Sequence, residues 1–244
     1  MFAGVDRVVV QVRDMQRGLR AYADLGFALD SDMACTATDC LQLARGDPEG
    51  LHTIVIETDD LAAEVAAMRT RGVDVSESAA HDTGRFAISL GAANPLPLEL
   101  VQAATRPGPD VHPNGILRIE RTYVVVPELS GLVEAYARIL NMQVPPLERG
   151  RVINADMAVF QVGRVGLGVA TPIGPGPAAE SLARRGPGPF QVLYRTRSMG
   201  AAVRWMLEHG LPEPARAIRN TGEQAILVSP ERACGTYVAL VGPE

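Results

Sequence analysis

The side chains equipped for chemistry are few, and their types narrow that chemistry at once. The histidines are His52, His81, His112 and His209, and the cysteines are Cys35, Cys40 and Cys234. A histidine moves protons near neutral pH or ligates a metal. His52 stands in the apolar run LHTIVIET, where a lone histidine is more often structural than functional. His81 falls in a polar turn, His112 in a Pro- and Gly-rich stretch and His209 at a helix C-terminus, where its charge suits the dipole. The cysteines are odd in number and lack metal-site spacing, so they read as reduced thiols in a reducing, cytoplasmic setting. All 23 basic residues are arginine. With no lysine, Schiff-base and P-loop chemistry are excluded.

The rest of the composition bounds the partners. The 244 residues are 47% hydrophobic with a formal net charge of −5. That is enough apolar material for a sizeable core. No basic run with interleaved aromatics suggests nucleic acid. The longest apolar runs are strand-length, so no membrane span is expected. The N-terminus enters a strand pattern at once and lacks the shape of a signal peptide.

Positioning such groups falls to a repeat. Four segments begin alike: VDRVVVQVRDMQRGLRAYADLGF from Val5, LHTIVIETDDLAAEVAAMRTRGVDV from Leu51, IERTYVVVPELSGLVEAYARILNM from Ile119 and PFQVLYRTRSMGAAVRWMLEHGL from Pro189. Each opens with a β-branched run, read as a strand. Asp14, Asp59, Glu128 and Ser198 then stand near a helix start, where such side chains favour exposed amides. An amphipathic run follows, and Gly26, Gly72, Asn141 and Gly210 stand where a left-handed residue ends a helix. Further short strands close each unit, as in FAISL from Phe86 and LPLELV from Leu96 around Asn94-Pro95. Gln102 to Gly115 has the composition of a linker. GPGP at Gly174 and ARRGPGP from Ala183 read as a second breaker, with Arg184-Arg185 an exposed loop pair.

The sequence resembles the vicinal-oxygen-chelate superfamily, which includes glyoxalases, bleomycin-resistance proteins and extradiol dioxygenases. Its fingerprint is a strand like I-D-H-V-V-L-x-V-x-D-L before a helix ending in L-G-F or R-G-V; here it stands as VDRVVVQVRDM with LGF and LHTIVIETDDL with RGV. The resemblance implies an α+β fold of four βαβββ modules paired into two open mixed-sheet cups. Residues 1–104 would form the first cup, 105–115 the linker and 116–244 a second, degenerate cup.

In that family inward side chains of the strands hold the ligand or metal. The matching residues in the first cup are Arg7, Gln42, His52 and Glu99; in the second they are Arg121, Gly168, Phe190 and Ala239. Strand alternation puts Arg7, Val9 and Gln11 on one face and Val8, Val10 and Val12 on the other. Gln42, His52 and Glu99 could donate to a divalent ion, but Arg7 beside them would repel it. The reading therefore favours no cofactor, with a divalent metal ion in the first cup as the alternative. Catalysis is assigned to Glu99, His52 and Arg7, and substrate binding to Arg7, Gln42, Arg121 and Tyr123. Arg7 and Glu99 could equally form a buried structural ion pair. Tyr123 and Tyr194 share faces with Arg121 and Phe190, and core filling suits them.

The expected function is a glyoxalase-like isomerase or lyase acting through an enolate on an anionic or carbonyl substrate. Extradiol ring cleavage is disfavoured, because its ligand positions in the second pair of modules are Arg121, Phe190 and Ala239. The alternatives are a non-catalytic small-molecule binder and an interaction protein with filled cups. A small-molecule ligand is implied, without nucleic acid or membrane, and a homodimer is allowed.

Overall fold

The β-branched openings fold as the long strands on which everything else hangs. The computed structural model describes residues 2–78, 84–89, 95–104 and 111–244. His81, Asn94 and residues 105–110 of the expected linker lie outside them. The first module is β1 (Phe2–Val12), α1 (Met15–Asp24), β2 (Met33–Cys35) and β3 (Cys40–Arg45). It has one strand fewer than the others. The second is β4 (Gly50–Thr58), α2 (Leu61–Thr70), β5 (Asp74–Glu77), β6 (Arg85–Ser89) and β7 (Pro95–Gln102). The third is β8 (Ile116–Val125), α3 (Leu132–Leu140), β9 (Leu147–Gly150), β10 (Ala155–Val162) and β11 (Val165–Pro172). A helix α4 (Pro177–Arg185) intervenes before the fourth: β12 (Gly188–Thr196), α5 (Met199–Glu208), β13 (Ala215–Ile218), β14 (Gln224–Val228) and β15 (Tyr237–Val241).

Paired modules share a sheet. The first has the order β2-β3-β1-β4-β7-β6-β5 and the second β13-β14-β15-β12-β8-β11-β10-β9. In each, the opening strands of the two modules pair antiparallel at the centre. One apolar cluster, including Val8, Val10 and Val12 of β1 and Val192 and Tyr194 of β12, runs along the helix-bearing faces of both sheets. The opposite, concave faces are the cups.

Local signals place the helices. Asp14 accepts from the Arg17 amide at 3.1 Å and Ser198 from Ala201 at 3.2 Å. In the second module the cap is Asp60, one residue beyond Asp59, accepting from Ala63 at 3.0 Å. Glu128 caps nothing, because α3 starts only after Gly131. Asn141 is left-handed, with φ 53°, an uncommon conformation that asparagine tolerates better than most residues.

Two expectations need correction. Cys35 and Cys40 form a disulfide. They are register partners across the β2–β3 hairpin, so two of the three cysteines taken as free thiols are not free, and the inference of a reducing compartment loses its basis. Cys234 is free and buried. The described end of the expected linker, residues 111–115, is tied to the first module. Asn114 is buried and donates to the Leu25 carbonyl at 2.8 Å, and His112 accepts from the Ala28 amide at 3.1 Å. The second correction is α4, read as a breaker. Pro177 opens it, the one helical position where proline suits. Among the described residues no helix is long and apolar enough to cross a membrane.

Candidate functional site

The first cup is built on register. Arg7 pairs with Val55, Val55 with Glu99 and Glu99 with Ala87, in one row across β1, β4, β7 and β6. Arg7 and Glu99 therefore stand about 10 Å apart, two strand spacings, and do not pair with each other. The Arg7 guanidinium pairs with its neighbour Asp6 and donates to Gln42 Oε1 at 3.4 Å. The partner of Glu99 is Arg85, which sequence reasoning missed. Arg85 Nη1 lies 3.4 Å from Glu99 Oε2, and its Nη2 donates to Gln42 Oε1 at 3.3 Å. Ser78 Oγ donates to Glu99 Oε1 at 2.8 Å. The floor of the cup is thus a chain running Arg7, Gln42, Arg85, Glu99, Ser78. Arg85 was legible in principle, because it shares parity with Ala87 on a strand whose Phe86 and Ile88 face the core.

His52 reaches the cup by a different device. Plain alternation would put it with Ile54 and Ile56 on the core face. The β1–β4 register shifts there: Val9 pairs with Thr53 and Val10 with Leu51, leaving His52 unpaired in a β-bulge. A bulge re-aims a side chain at little cost to the rest of the strand. His52 is exposed and its Nδ1 lies 2.7 Å from Thr53 Oγ1. Partial burial lowers its pKa from the usual 6.5. Arg185 pushes the same way, and Glu99 opposes both. The imidazole is therefore neutral at neutral pH.

His52, Thr53 and Glu99 line a cleft of about 360 Å³ with Leu51, Pro97 and, from the other half of the chain, Arg185 and Pro187. Arg185 is not the exposed loop residue expected. It ends α4, is half-buried, and donates to the Leu51 carbonyl at 2.9 Å and the Pro189 carbonyl at 3.3 Å. Burial lowers its pKa from the usual guanidinium value, helped by its neighbour Arg184. Arg7 and Gln42 lie below, outside the cleft lining.

The second cup repeats the geometry with other residues. The β8–β12 register shifts so that Phe190 falls unpaired, as His52 does in β4. Phe190 consequently faces inward, its ring 6.3 Å from Tyr123 and 6.1 Å from Tyr237. Past the bulge, Tyr194 faces the common core beside Phe27, away from the cup. Ala178 and Leu182 of α4 pack on the Phe190–Tyr123 cluster and fill that end. The remaining space, about 70 Å³, is lined by Arg121, Tyr123, Glu148, Gln191 and Arg219, among others. Arg121 pairs with Glu148 at 3.3 Å. Burial raises the Tyr123 pKa, against the lowering pull of Arg121 and Arg219. Gly168 lies against the Tyr123 ring and Ala239 on the apolar wall. Among the described residues, no three His, Cys, Asp or Glu side chains come together in either cup as a metal-holding group.

A glyoxalase-like family profile matches residues 34–140. Among solved structures, a mutant 4-hydroxymandelate synthase from Streptomyces coelicolor superposes over 100% of this chain and 93% of its own, at a TM-score of 0.71 and 14% identity. A xylose isomerase-like TIM barrel/4-hydroxyphenylpyruvate dioxygenase fusion protein superposes over 99% of this chain and 49% of its own, at 0.69 and 13%. At such identities the likeness speaks for the fold alone. Methylmalonyl-CoA epimerase from Mycobacterium tuberculosis covers 53% of this chain and 90% of its own at 20% identity, with a TM-score of 0.47. No curated protein matches the sequence. The four repeated modules and two curled sheets thus have the fold of these solved structures, and residues 34–140 match a glyoxalase-like domain of the vicinal-oxygen-chelate superfamily.

Proposed function

We propose that the chain is a small-molecule enzyme of the glyoxalase-like type, an isomerase or lyase that moves a proton at the carbon beside a carbonyl. Its site is the cleft of the first cup. The observation that carries this is the convergence of Glu99 and His52 on that cleft from different strands, His52 through a bulge that interrupts its strand. Glu99 is the base. Its oxygens accept from Ser78 and Arg85, and a carboxylate has about four lone-pair sites, so sites remain for a substrate proton. His52 is the second acid-base group. In the tautomer in which the Thr53 hydroxyl donates to Nδ1, the ring proton is on Nε2, from where it would stabilise a developing enolate oxygen. Arg7 and Gln42 act through Arg85, holding it against Glu99, and so belong to positioning rather than substrate contact.

The residues present do not fit a tightly held divalent ion. Gln42 Oε1 already accepts from two arginines, and a third cation among them would be repelled. No step is routed through a metal.

A non-catalytic binder of the same fold is the second reading, favoured by the ties already on both Glu99 oxygens. The variant Glu99→Gln separates the two. In an enzyme, isomerase or lyase turnover of enolisable carboxylic acids falls by about 10²–10⁴-fold while binding persists. In a binder the wild type turns over none of them.

A further inference from the structure

We infer that Arg185 is the anion-binding group of the first-cup cleft, and that the molecule it takes is a carboxylate with an apolar body. The first cup is then completed only by a residue of the second half. The inference rests on the cleft being the site, not on the proton transfer proposed for it.

Arg185 is a cation held where the protein does little to compensate it. Its guanidinium is half-buried and its only acceptors among the described residues are the carbonyls of Leu51 and Pro189. No carboxylate is among them, and the buried Nε has no hydrogen-bond partner among the described residues. The other arginines of the cup differ: Arg85 has Glu99 and Arg7 has Asp6. Withdrawing a cation from water without a counter-charge is costly, and a ligand anion would offset that cost. Its neighbour Arg184 adds positive potential.

The position is also built. A Cβ on Gly50, whose φ is +129°, would fall 2.4 Å from Arg185 Nη1 and 2.9 Å from the Gly235 carbonyl oxygen. Only glycine at Gly50 leaves room for the guanidinium. Gly235 in turn meets the Glu49 carbonyl so closely that its own Cβ would fall 2.5 Å away. Helix α4, wedged into the second cup by Ala178 and Leu182, fixes the other end of the lever. The remaining lining supplies the preference for an apolar body. Leu51, Pro48, Pro97, Pro187 and Pro189 wall the cleft around His52, Glu99 and Arg185. An anion at Arg185 with its apolar part along these prolines lies beside Glu99, the proposed base.

The test uses the full chain and the pair benzoate and benzamide, equal in shape and different in charge, with inorganic phosphate as an anion lacking an apolar body. Binding is read by calorimetry and by the imidazole NMR signals of His52. Benzoate is expected to bind more tightly than either comparator and to move the His52 signals. Arg185→Met should weaken benzoate about ten- to a hundredfold and leave benzamide within about twofold, and Arg185→Lys should recover part of the loss. Because Arg185 also ties Leu51 to α4, both variants are first compared with the wild type by thermal unfolding. If Arg185→Met does not fold, Arg185→Lys and the wild-type benzoate-to-benzamide ratio decide alone. Equal weakening of benzoate and benzamide, phosphate binding better than benzoate, or no Arg185-dependent binding of any probe would overturn the inference. Failure of the enzyme reading looks different: benzoate still binds through Arg185 and no substrate turns over.

Discussion

Replacing Arg85 by methionine isolates the contact that holds the proposed base. Arg85 is 6% exposed, and the Glu99 side chain it faces is 13% exposed. Among the described residues, Arg85→Met leaves that carboxylate with Ser78 alone and deprives Gln42 Oε1 of one of its two donors. Removing one partner of a buried pair costs about 3–5 kcal/mol. The 3.4 Å separation and the residual exposure of Glu99 bring the expectation down to about 2–3 kcal/mol, the range of one or two charge-assisted hydrogen bonds. For a chain of this size that lowers Tm by about 5–10 °C. The double variant Arg85→Met/Glu99→Met removes the stranded charge and should regain at least half of the loss. Calorimetric unfolding of the wild type, both single variants and the double variant gives the coupling directly. A Tm for Arg85→Met within about 1 °C of wild type, or losses that simply add, would refute the network as the support of Glu99.

Three further outcomes follow from the same geometry. The His52 pKa is lowered by burial and by Arg185, so NMR titration should show it rising in Arg185→Met; an unchanged value would remove Arg185 from the cleft. As pH falls, the unfolded chain takes up this proton before the folded protein does. His52 thus adds stability that is full above 6.5 and lost as pH drops below it through the folded value. Exhaustive dialysis against a chelator should leave thermal stability and any measured turnover unchanged. A loss restored by one equivalent of a divalent ion would contradict the reading of Gln42 as a hydrogen-bond acceptor for two arginines.

Much of the architecture was legible because it is written in periodicity. The β-branched openings, the helical spacing of Leu61, Val65 and Met68, and the glycines at 26, 72 and 210 recur in register. The inward face of β1 was legible as well, because Arg7, Val9 and Gln11 alternate with core valines. The bulges were not. A bulge is a property of two strands pairing, and neither His52 nor Phe190 carries a local signal for it, so alternation alone misplaces both and sends Tyr194 to the wrong face. Helix α4 was hidden by the prolines and glycines on either side, though Pro177 is what starts it. With α4 unread, Arg185 passed for a loop residue, and its approach to His52 depends on a contact between halves that no single segment encodes. The Cys35–Cys40 pairing was masked by the odd cysteine count, and only the hairpin register makes the two neighbours.

Proton transfer in the first cup is tested most directly by exchange. A panel of 2-oxo carboxylic acids with an enolisable carbon is incubated with the protein in D2O, and loss of the C–H signal is followed by proton NMR for wild type and Glu99→Gln. The account predicts exchange at one carbon of at least one acid, catalysed by the wild type and reduced at least a hundredfold in Glu99→Gln, with binding of that acid retained. Exchange that survives in Glu99→Gln, or a tightly bound acid that never exchanges in the wild type, would contradict it.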